Sequence, residues 1–174
     1  MKRLLTSGLL IAALAVGACT NPDRFGAEGA GAGATAGAGT NGGIIPGSAN
    51  DPTSTAFFQQ TVGDRVLFEV DQSTLTALGR STLDGQANWL MTNNDYQAVI
   101  EGHADEQGTR EYNLALGARR ANAAQEYLLS KGVPASRLRV VSYGKERPIE
   151  ICSNEACYAK NRRAVTVLAG GLSS

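Results

Sequence analysis

Residues 101–121 have the sequence EGHADEQGTREYNLALGARRA and join a predicted strand to a predicted helix. Asp105 falls at the end of the strand, and Thr109 can cap the helix that follows it. Asn113 and Arg120 are seven residues apart, which is nearly two helical turns, so they share one face of the helix. This spacing predicts a carboxylate near the start of the helix, with an amide and a guanidinium in line along it.

This set of polar groups suits a zwitterionic ligand. Arg120 can bind a carboxylate through paired hydrogen bonds, and Asp105 can bind an ammonium group or orient the arginine. The alternative is a capping aspartate and a surface arginine without a ligand, which is the commoner case for such residues taken singly. The spacing alone leaves both interpretations open.

Apolar runs and capping residues on both sides of this stretch predict strands and helices in alternation. Strands are predicted at residues 66–70, 96–100, 138–143 and 164–168. Helices are predicted from Ser73 or Thr74 to the Asn93–Asp95 cluster, from Thr109 to Lys131 and Gly132, and at residues 154–161. The order β-α-β-α-β-(α)-β predicts an α/β fold of the α+β sandwich type, in which a small mixed four-stranded sheet carries helices on one face.

The apolar positions of the predicted helices are expected to form the core of the domain. They are Leu75, Leu78, Leu83, Trp89 and Leu90 in the first helix and Tyr127 in the second. His103 is expected to be structural, or to hydrogen-bond beside the polar groups, rather than to act as a general base.

The composition argues against several functional classes. The 174 residues suffice for one domain with extensions. Sixteen basic and sixteen acidic side chains give no net charge, which argues against electrostatic binding of nucleic acid. One histidine and three cysteines argue against a metal centre, and the sequence has no serine-nucleophile motif, phosphate-binding loop or paired zinc histidines. We therefore expect no cofactor.

Much of the glycine in the chain belongs to a linker. Of the 18 residues 26–43, eight are glycine and six are alanine, and none has a large apolar side chain. Nothing in such a segment offsets the entropy lost on ordering it, so residues 19–52 are predicted to be a flexible linker. The folded domain is predicted to extend from residue 53 to residue 174.

The first 18 residues have the features of an export signal. Met1–Arg3 is positively charged, and Leu4–Val16 is an apolar run too short to span a bilayer. Residues 16–19, VGAC, resemble the lipobox of bacterial lipoproteins, which implies cleavage before Cys19 and lipidation of that cysteine. By resemblance to enterobacterial sorting rules, Thr20 in place of aspartate then favours the outer membrane. Ordinary signal cleavage, with Cys19 incidental, is the alternative.

Cys152 and Cys157 are the two cysteines that remain. Export places them in a compartment where disulfides persist, so we expect a bridge between them. A metal half-site is the alternative, for which the one histidine, His103, supplies too few further ligands.

Four motifs of the chain resemble the OmpA C-terminal domain family. They are Gly102–Glu106, the Gly108…Tyr112-Asn113…Leu116…Arg120-Ala121 helix, Val141–Glu146 and Asn161–Val165. These motifs follow the family's order and span about residues 60–168, nearly the whole predicted domain. The resemblance implies an OmpA-like domain that binds peptidoglycan noncovalently through the diaminopimelate of its stem peptide.

The resemblance also implies roles for particular residues. Asp105 and Arg120 occupy the family's ligand-binding aspartate and arginine positions, and Asn113 occupies the position of a supporting asparagine. The further ligand-binding candidates are Phe68 and Asp71 of the strand-end motif, Thr109, and Arg163, for which the adjacent Arg162 is an equal alternative. Glu69 stands where the family usually has aspartate.

The lipid-anchored members of this family imply a setting and a protein partner. They are held in the outer membrane and dock to TolB, the periplasmic propeller of the Tol system. That complex helps the outer membrane follow the constricting envelope at cell division. The resemblance therefore predicts a binding protein and not an enzyme.

Two other functions are compatible with parts of the sequence. A glycan hydrolase would use Glu101, Asp105 and Glu106 as paired carboxylates. A purely structural envelope lipoprotein would bind no ligand, and Asp105 and Arg120 could then be exchanged without loss.

Overall fold

The structure is a computed structural model that describes residues 44–151 and 153–170. In this part of the chain the strands are β1 (Arg65–Leu67), β2 (Tyr96–His103), β3 (Leu138–Gly144) and β4 (Arg163–Gly170). The helices are α1 (Thr55–Phe57), α2 (Ala77–Thr92), α3 (Arg110–Ser130) and α4 (Glu155–Asn161). A π-helical turn, Phe58–Gly63, continues α1, and a 3-10 turn, Ala135–Arg137, precedes β3.

The strands form one mixed sheet in the order β1-β4-β2-β3. β2 and β3 are parallel, whereas β4 is antiparallel to both β1 and β2. Apolar residues of α2 and α3 pack with Val66, Ile100 and Leu138 of the strands in one core. The predicted α/β fold, with its β-α-β-α-β-α-β order and small mixed sheet, is confirmed.

The register of the sheet gathers the candidate ligand-binding residues at one end. Leu67 pairs with Arg163 and Gly102 pairs with Ala164, so β1 and β2 end beside the start of β4. β3 runs parallel to β2, and the two strands end at the same end of the sheet. The loops that leave these strands therefore lie close together.

The two long helices begin at capping residues, one of them predicted correctly. Thr109 caps α3 as predicted, because its hydroxyl accepts a hydrogen bond from Tyr112 N at 3.2 Å. The prediction that Ser73 or Thr74 caps α2 is wrong, since the cap is Thr76, which accepts from Gly79 N at 3.0 Å. The chain turns at residues 69–72 and reaches Thr76 before this helix begins.

A helical turn that the sequence did not predict precedes β1. Ser54 caps α1 by accepting a hydrogen bond from Phe57 N at 3.0 Å. The Phe58 ring that follows is fully buried and lies 4.9 Å from the Trp89 ring, between centroids. Trp89 also donates its indole hydrogen bond to the carbonyl of Pro52 at 2.7 Å, so this segment packs as part of the domain.

Burial confirms most of the predicted core. The predicted positions that are buried or partly buried there are Leu75, Leu83, Trp89, Leu90 and Tyr127. The prediction that Leu78 belongs to the core is wrong, since 78% of its surface is exposed. Gly79 is the residue that faces β1, because a Cβ atom there would lie 3.6 Å from the Cβ atom of Val66. Successive helical residues are about 100° apart, so Leu78 is directed away from the strand.

Several predictions fall outside the described residues. They concern the export signal, Cys19, residues 20–43 of the linker and Cys152, so the division at residues 1–18, 19–52 and 53–174 stays a prediction. Cys157 is buried in α4, but the bridge to Cys152 is likewise still a prediction. Within residues 44–151 and 153–170, no helix is both long and apolar enough to cross a membrane.

The main chain of α3 lies directly against the main chain of β2. A Cβ atom on Gly102 would lie 1.8 Å from the carbonyl oxygen of Gly117. A Cβ atom on Gly117 would lie 2.5 Å from Ser142 Oγ and 2.8 Å from the carbonyl oxygen of Gly102. Only glycine fits at both positions, and the contact sets how close α3 lies to the sheet.

We predict that Gly102→Ala lowers the free energy of unfolding by about 3 kcal/mol or more, because the added methyl group must displace main-chain atoms. Gly85→Ala is the matched control. Gly85 lies inside α2, where an added Cβ would meet Val62 at an ordinary 3.5 Å, so a change within about 1 kcal/mol is expected. Urea unfolding measures both values, and equal effects would contradict the close contact.

Candidate ligand-binding site

A cavity of about 270 Å³ opens between the turn after β1, the loop after β2 and the start of α3. The described residues that line it are Val70, Asp71, Asp105, Gln107, Gly108, Tyr112, Asn113 and Leu116. Three of the predicted ligand-binding residues are therefore brought together: Asp71, Asp105 and Asn113. The other predicted residues do not line it: they are Phe68, Thr109, Arg120 and Arg163.

Asp105 is held rigidly in the wall of the cavity. Only 7% of its surface is exposed. One carboxylate oxygen accepts a hydrogen bond from Gln107 N at 3.2 Å, and the other accepts from Arg162 Nη1 at 3.2 Å. These two donors hold the carboxylate where Asp105 lines the cavity.

Arg162 and Arg163 have different contacts in the structure, whereas the sequence did not decide which of them lies at the site. Arg162 contacts Asp105, donates from Nε to the Phe68 carbonyl at 3.2 Å and binds the Glu155 carboxylate. Arg163 donates instead to the carbonyls of Asn161 and Arg147. Arg162, which follows α4, therefore supports the cavity, whereas Arg163, the first residue of β4, belongs to another set of contacts.

Arg120 is fully buried and is bound by main-chain carbonyls. Its Nε atom donates to Gln72 at 2.8 Å, Nη1 donates to His103 at 2.9 Å and Nη2 donates to Glu69 at 3.2 Å. In this structure the guanidinium faces these carbonyls, and its contact with a ligand carboxylate stays a prediction. The donors are occupied by the turn after β1, which they hold beside α3.

The charge of Arg120 lies close behind the cavity wall. Its guanidinium carbon is 5.3 Å from the centroid of the buried Phe68 ring. Burial lowers the pKa of Arg120 to about 10, while attraction to the Asp105 carboxylate opposes this change. The side chain stays protonated at neutral pH and places a positive charge behind the cavity wall.

Asn113 and Thr109 shape the loop after β2. The Asn113 amide nitrogen donates to the carbonyl of Gln107 at 2.7 Å, and only 1% of this residue is exposed. Lys145 Nζ donates to the carbonyl of Gly108 at 2.7 Å from the other side. Asn113 therefore supports the loop as well as lining the cavity, whereas Thr109 acts as the helix cap described above.

Tyr112 lines the cavity but is not among the predicted ligand-binding residues. Its hydroxyl donates a hydrogen bond to the carboxylate of Asp71, which lies in the turn after β1. This bond raises the pKa of Tyr112. The two residues are 41 positions apart, and an exposed tyrosine in a first helical turn gives no local sign of such a partner.

The carboxylates of the hydrolase alternative do not meet at this cavity. Glu106 accepts a hydrogen bond from Asn161 Nδ2 at 2.7 Å, and Glu101 lies 3.7 Å from His103 Nε2. Neither lines the cavity, where the carboxylates are Asp71 and Asp105. None of the described lining residues is basic, so the cavity suits an ammonium group.

A sequence profile of the OmpA family matches residues 67–162, which is more than half of the chain. The chain belongs to the OmpA family. This confirms the resemblance found in the sequence motifs.

Relatives with known names match nearly the whole of this OmpA-family chain. A peptidoglycan-associated lipoprotein of Rhizobium meliloti is 48% identical over 161 residues, covering 92% of this chain and 85% of the relative. One of Agrobacterium fabrum is 46% identical over 177 residues, covering 98% and 92%. These relatives are named as lipoproteins and not as enzymes, and membership of their family confirms the prediction of a non-enzymatic protein.

Solved structures share the fold of this OmpA-family chain. The crystal structure of a peptidoglycan-associated lipoprotein from Burkholderia pseudomallei has a TM-score of 0.62 and 36% identity, covering 70% of this chain and 98% of that one. The C-terminal domain of Helicobacter pylori MotB has a TM-score of 0.59, covering 63% and 86%. At 20% identity, the second similarity concerns the fold alone.

The main-chain carbonyl of His103 accepts a hydrogen bond from Arg120. Its imidazole ring is buried and does not line the cavity of this OmpA-family domain. Only 2% of the residue is exposed, and neither ring nitrogen hydrogen-bonds to a described residue. The ring lies 5.6 Å from that of Tyr143, between centroids. Burial, reinforced by the charges of Arg163 and Arg147, lowers the pKa of His103 to about 4. Its part is therefore structural.

We predict that the domain loses stability as the pH falls from about 6.5 to about 4. In this range the unfolded chain protonates His103 and the folded chain does not, so up to about 3 kcal/mol is lost. Urea unfolding at pH 7, 5.5 and 4.5 measures the change. His103→Gln should flatten this part of the pH dependence, and parallel curves for the two proteins would contradict the buried neutral ring.

Proposed function

We propose that the chain is an outer-membrane lipoprotein that binds peptidoglycan noncovalently through the diaminopimelate of the stem peptide. The observation that carries the proposal is the cavity with Asp71 and Asp105 in its wall and no basic lining residue among those described. Relatives named as peptidoglycan-associated lipoproteins support the choice of ligand.

The ammonium group of the diaminopimelate side chain is the part of the ligand that this cavity would bind. Asp105 would accept charge-assisted hydrogen bonds from it at the buried end, and Asp71 would do so at the exposed end. Asp105 is already fixed by Gln107 and Arg162, so little side-chain entropy is lost on binding. The buried charges of Arg120 and Arg162 offset the repulsion between two carboxylates at one cavity.

The apolar lining would bind the aliphatic part of the same side chain. Val70, Tyr112 and Leu116 contribute this surface to the cavity wall. An ammonium group at the end of a methylene chain therefore finds carboxylates and apolar surface in the same cavity. A ligand carboxylate would reach Arg120 only if the carbonyls of Glu69 and Gln72 gave way.

We predict that Asp105→Asn weakens binding of the purified chain to peptidoglycan sacculi by one to two decades. A charge-assisted contact contributes about 1.5–3 kcal/mol, which sets this range. Co-sedimentation with sacculi measures it. Asp84→Asn is the matched control, because Asp84 forms an ion pair of 2.8 Å with Lys131 and does not line the cavity. Unchanged binding by Asp105→Asn would contradict the proposed site, and release of muropeptides would favour the hydrolase.

Arg120→Ala is a weaker test of ligand contact. It would leave three main-chain carbonyls without their donor in a buried setting, at a cost of about 1–3 kcal/mol for each unsatisfied group. Loss of binding could then come from unfolding of the turn after β1. The aspartate variants change the cavity wall without removing this support.

We propose that lipid at Cys19 anchors the chain and that Cys152 and Cys157 are bridged in the exported protein. The VGAC motif and the oxidising compartment support these two proposals. We predict that protein isolated from membranes begins at Cys19, carries acyl chains and lacks the mass of two thiol hydrogens. Intact mass spectrometry before and after reduction measures all three. An unmodified Cys19 or an unchanged mass on reduction would contradict the corresponding proposal.

We also propose that the chain docks to TolB and takes part in constriction of the outer membrane at cell division. Support comes from the motifs shared with lipid-anchored OmpA-family members. We predict that the immobilised chain captures purified TolB of the same bacterium, as measured by surface plasmon resonance. The OmpA-like domain of a barrel-anchored protein is the matched control surface, and equal or absent binding on the two surfaces would contradict this proposal.

A further inference from the structure

Asp71 lines the cavity from the turn after β1, and it is an exposed residue. Asp71 has a left-handed backbone, with φ at 58°, in a turn closed by a hydrogen bond from Gln72 N to the Glu69 carbonyl at 3.1 Å. Its side chain is exposed to solvent. An exposed aspartate in such a turn would sample several rotamers unless another group fixed it.

Two residues of α3 hydrogen-bond to different parts of this turn. Arg120 binds its main chain through the carbonyls of Glu69 and Gln72. Tyr112 binds its side chain, and within the described residues it is the group that hydrogen-bonds the Asp71 carboxylate. Arg120 therefore places the turn, while Tyr112 sets the direction of the carboxylate within it.

Tyr112 is itself well placed to keep its hydroxyl in position. Its main-chain N–H is bound to the capping hydroxyl of Thr109 in the first turn of α3. The Arg119 guanidinium lies over its ring, 5.8 Å from the centroid, within the range of a cation–π contact. The ring also lines the cavity, so the hydroxyl and the Asp71 carboxylate are both at its rim.

We propose that Tyr112 is a positioning residue, which makes the cavity selective for a free ammonium group by holding the Asp71 carboxylate toward it. This inference rests on the proposed function. With one carboxylate oxygen bound to the tyrosine hydroxyl, the other is left for the ligand. Without the hydroxyl, Asp71 must be ordered when the ligand binds, which costs about three- to tenfold in affinity.

The chain contains a matched control on the same helix. Tyr127 also donates a hydrogen bond from its hydroxyl to an aspartate, with 3.0 Å between this oxygen and Asp84 Oδ1. This second pair lies outside the cavity lining. Tyr112→Phe and Tyr127→Phe thus remove the same atom from the same kind of contact, and only the first removes it beside the cavity.

The test uses the full chain and two synthetic stem peptides that end in diaminopimelate, one with a free side-chain amine and one with that amine acetylated. Calorimetric titration gives both affinities for the unaltered chain, Tyr112→Phe, Tyr127→Phe, Asp71→Asn and the Tyr112→Phe/Asp71→Asn double variant. We expect Tyr112→Phe to weaken binding of the free amine three- to tenfold and to leave the acetylated peptide unaffected. It should have no further effect once Asp71 is replaced, and Tyr127→Phe should match the unaltered chain.

Each other outcome counts against a stated part of the proposal. Equal selectivity in Tyr112→Phe and Tyr127→Phe, or a full effect of Tyr112→Phe in the Asp71→Asn background, would overturn the role of Tyr112 and leave the proposed function standing. Failure of the unaltered chain to bind the free-amine peptide would overturn the proposed function and the role of Tyr112 with it. Because the Tyr112 side chain is partly exposed, its variant is expected to fold, and thermal unfolding checks this.

Discussion

The main chains of Gly102 and Gly117 touch where α3 crosses β2, and the geometry of the site depends on this contact. A side chain at either position would push the helix away from the sheet. Asn113 lies one turn before Gly117 and Arg120 lies one turn after it, on the same side of the helix. The close approach therefore lets Asn113 reach the loop after β2 and lets Arg120 reach the carbonyl of His103.

The charges of the site are arranged in two layers. Guanidinium groups lie inside, where Arg120 binds main-chain carbonyls and Arg162 binds Asp105 and Glu155. Carboxylates of Asp71 and Asp105 lie at the cavity surface. A buried cation is costly unless its hydrogen bonds are satisfied, and the carbonyls of the turn after β1 provide this for Arg120. The same bonds shape the turn that carries Asp71, so stability and ligand recognition use one set of contacts.

Local pattern predicted most of the fold and part of the site. The strands, the Thr109 cap and the shared helix face of Asn113 and Arg120 depend on residues within a few positions of each other. The exposure of Leu78 was missed because Gly79 is the residue that faces β1, and the cap of α2 lies beyond the turn at residues 69–72. That turn is held by Arg120 across the domain, and no short pattern in the sequence shows it.

The sequence by itself determined the family motifs, the order of the elements and the types of polar group at the site. Only the tertiary structure decided which groups face the cavity and which support it. Arg120 meets Gln72 across 48 positions, Asp105 meets Arg162 across 57, and Asp71 meets Tyr112 across 41. The physical reason is that a charged side chain pairs with whatever donor or acceptor the fold brings near, and these partners come from different strands, loops and helices.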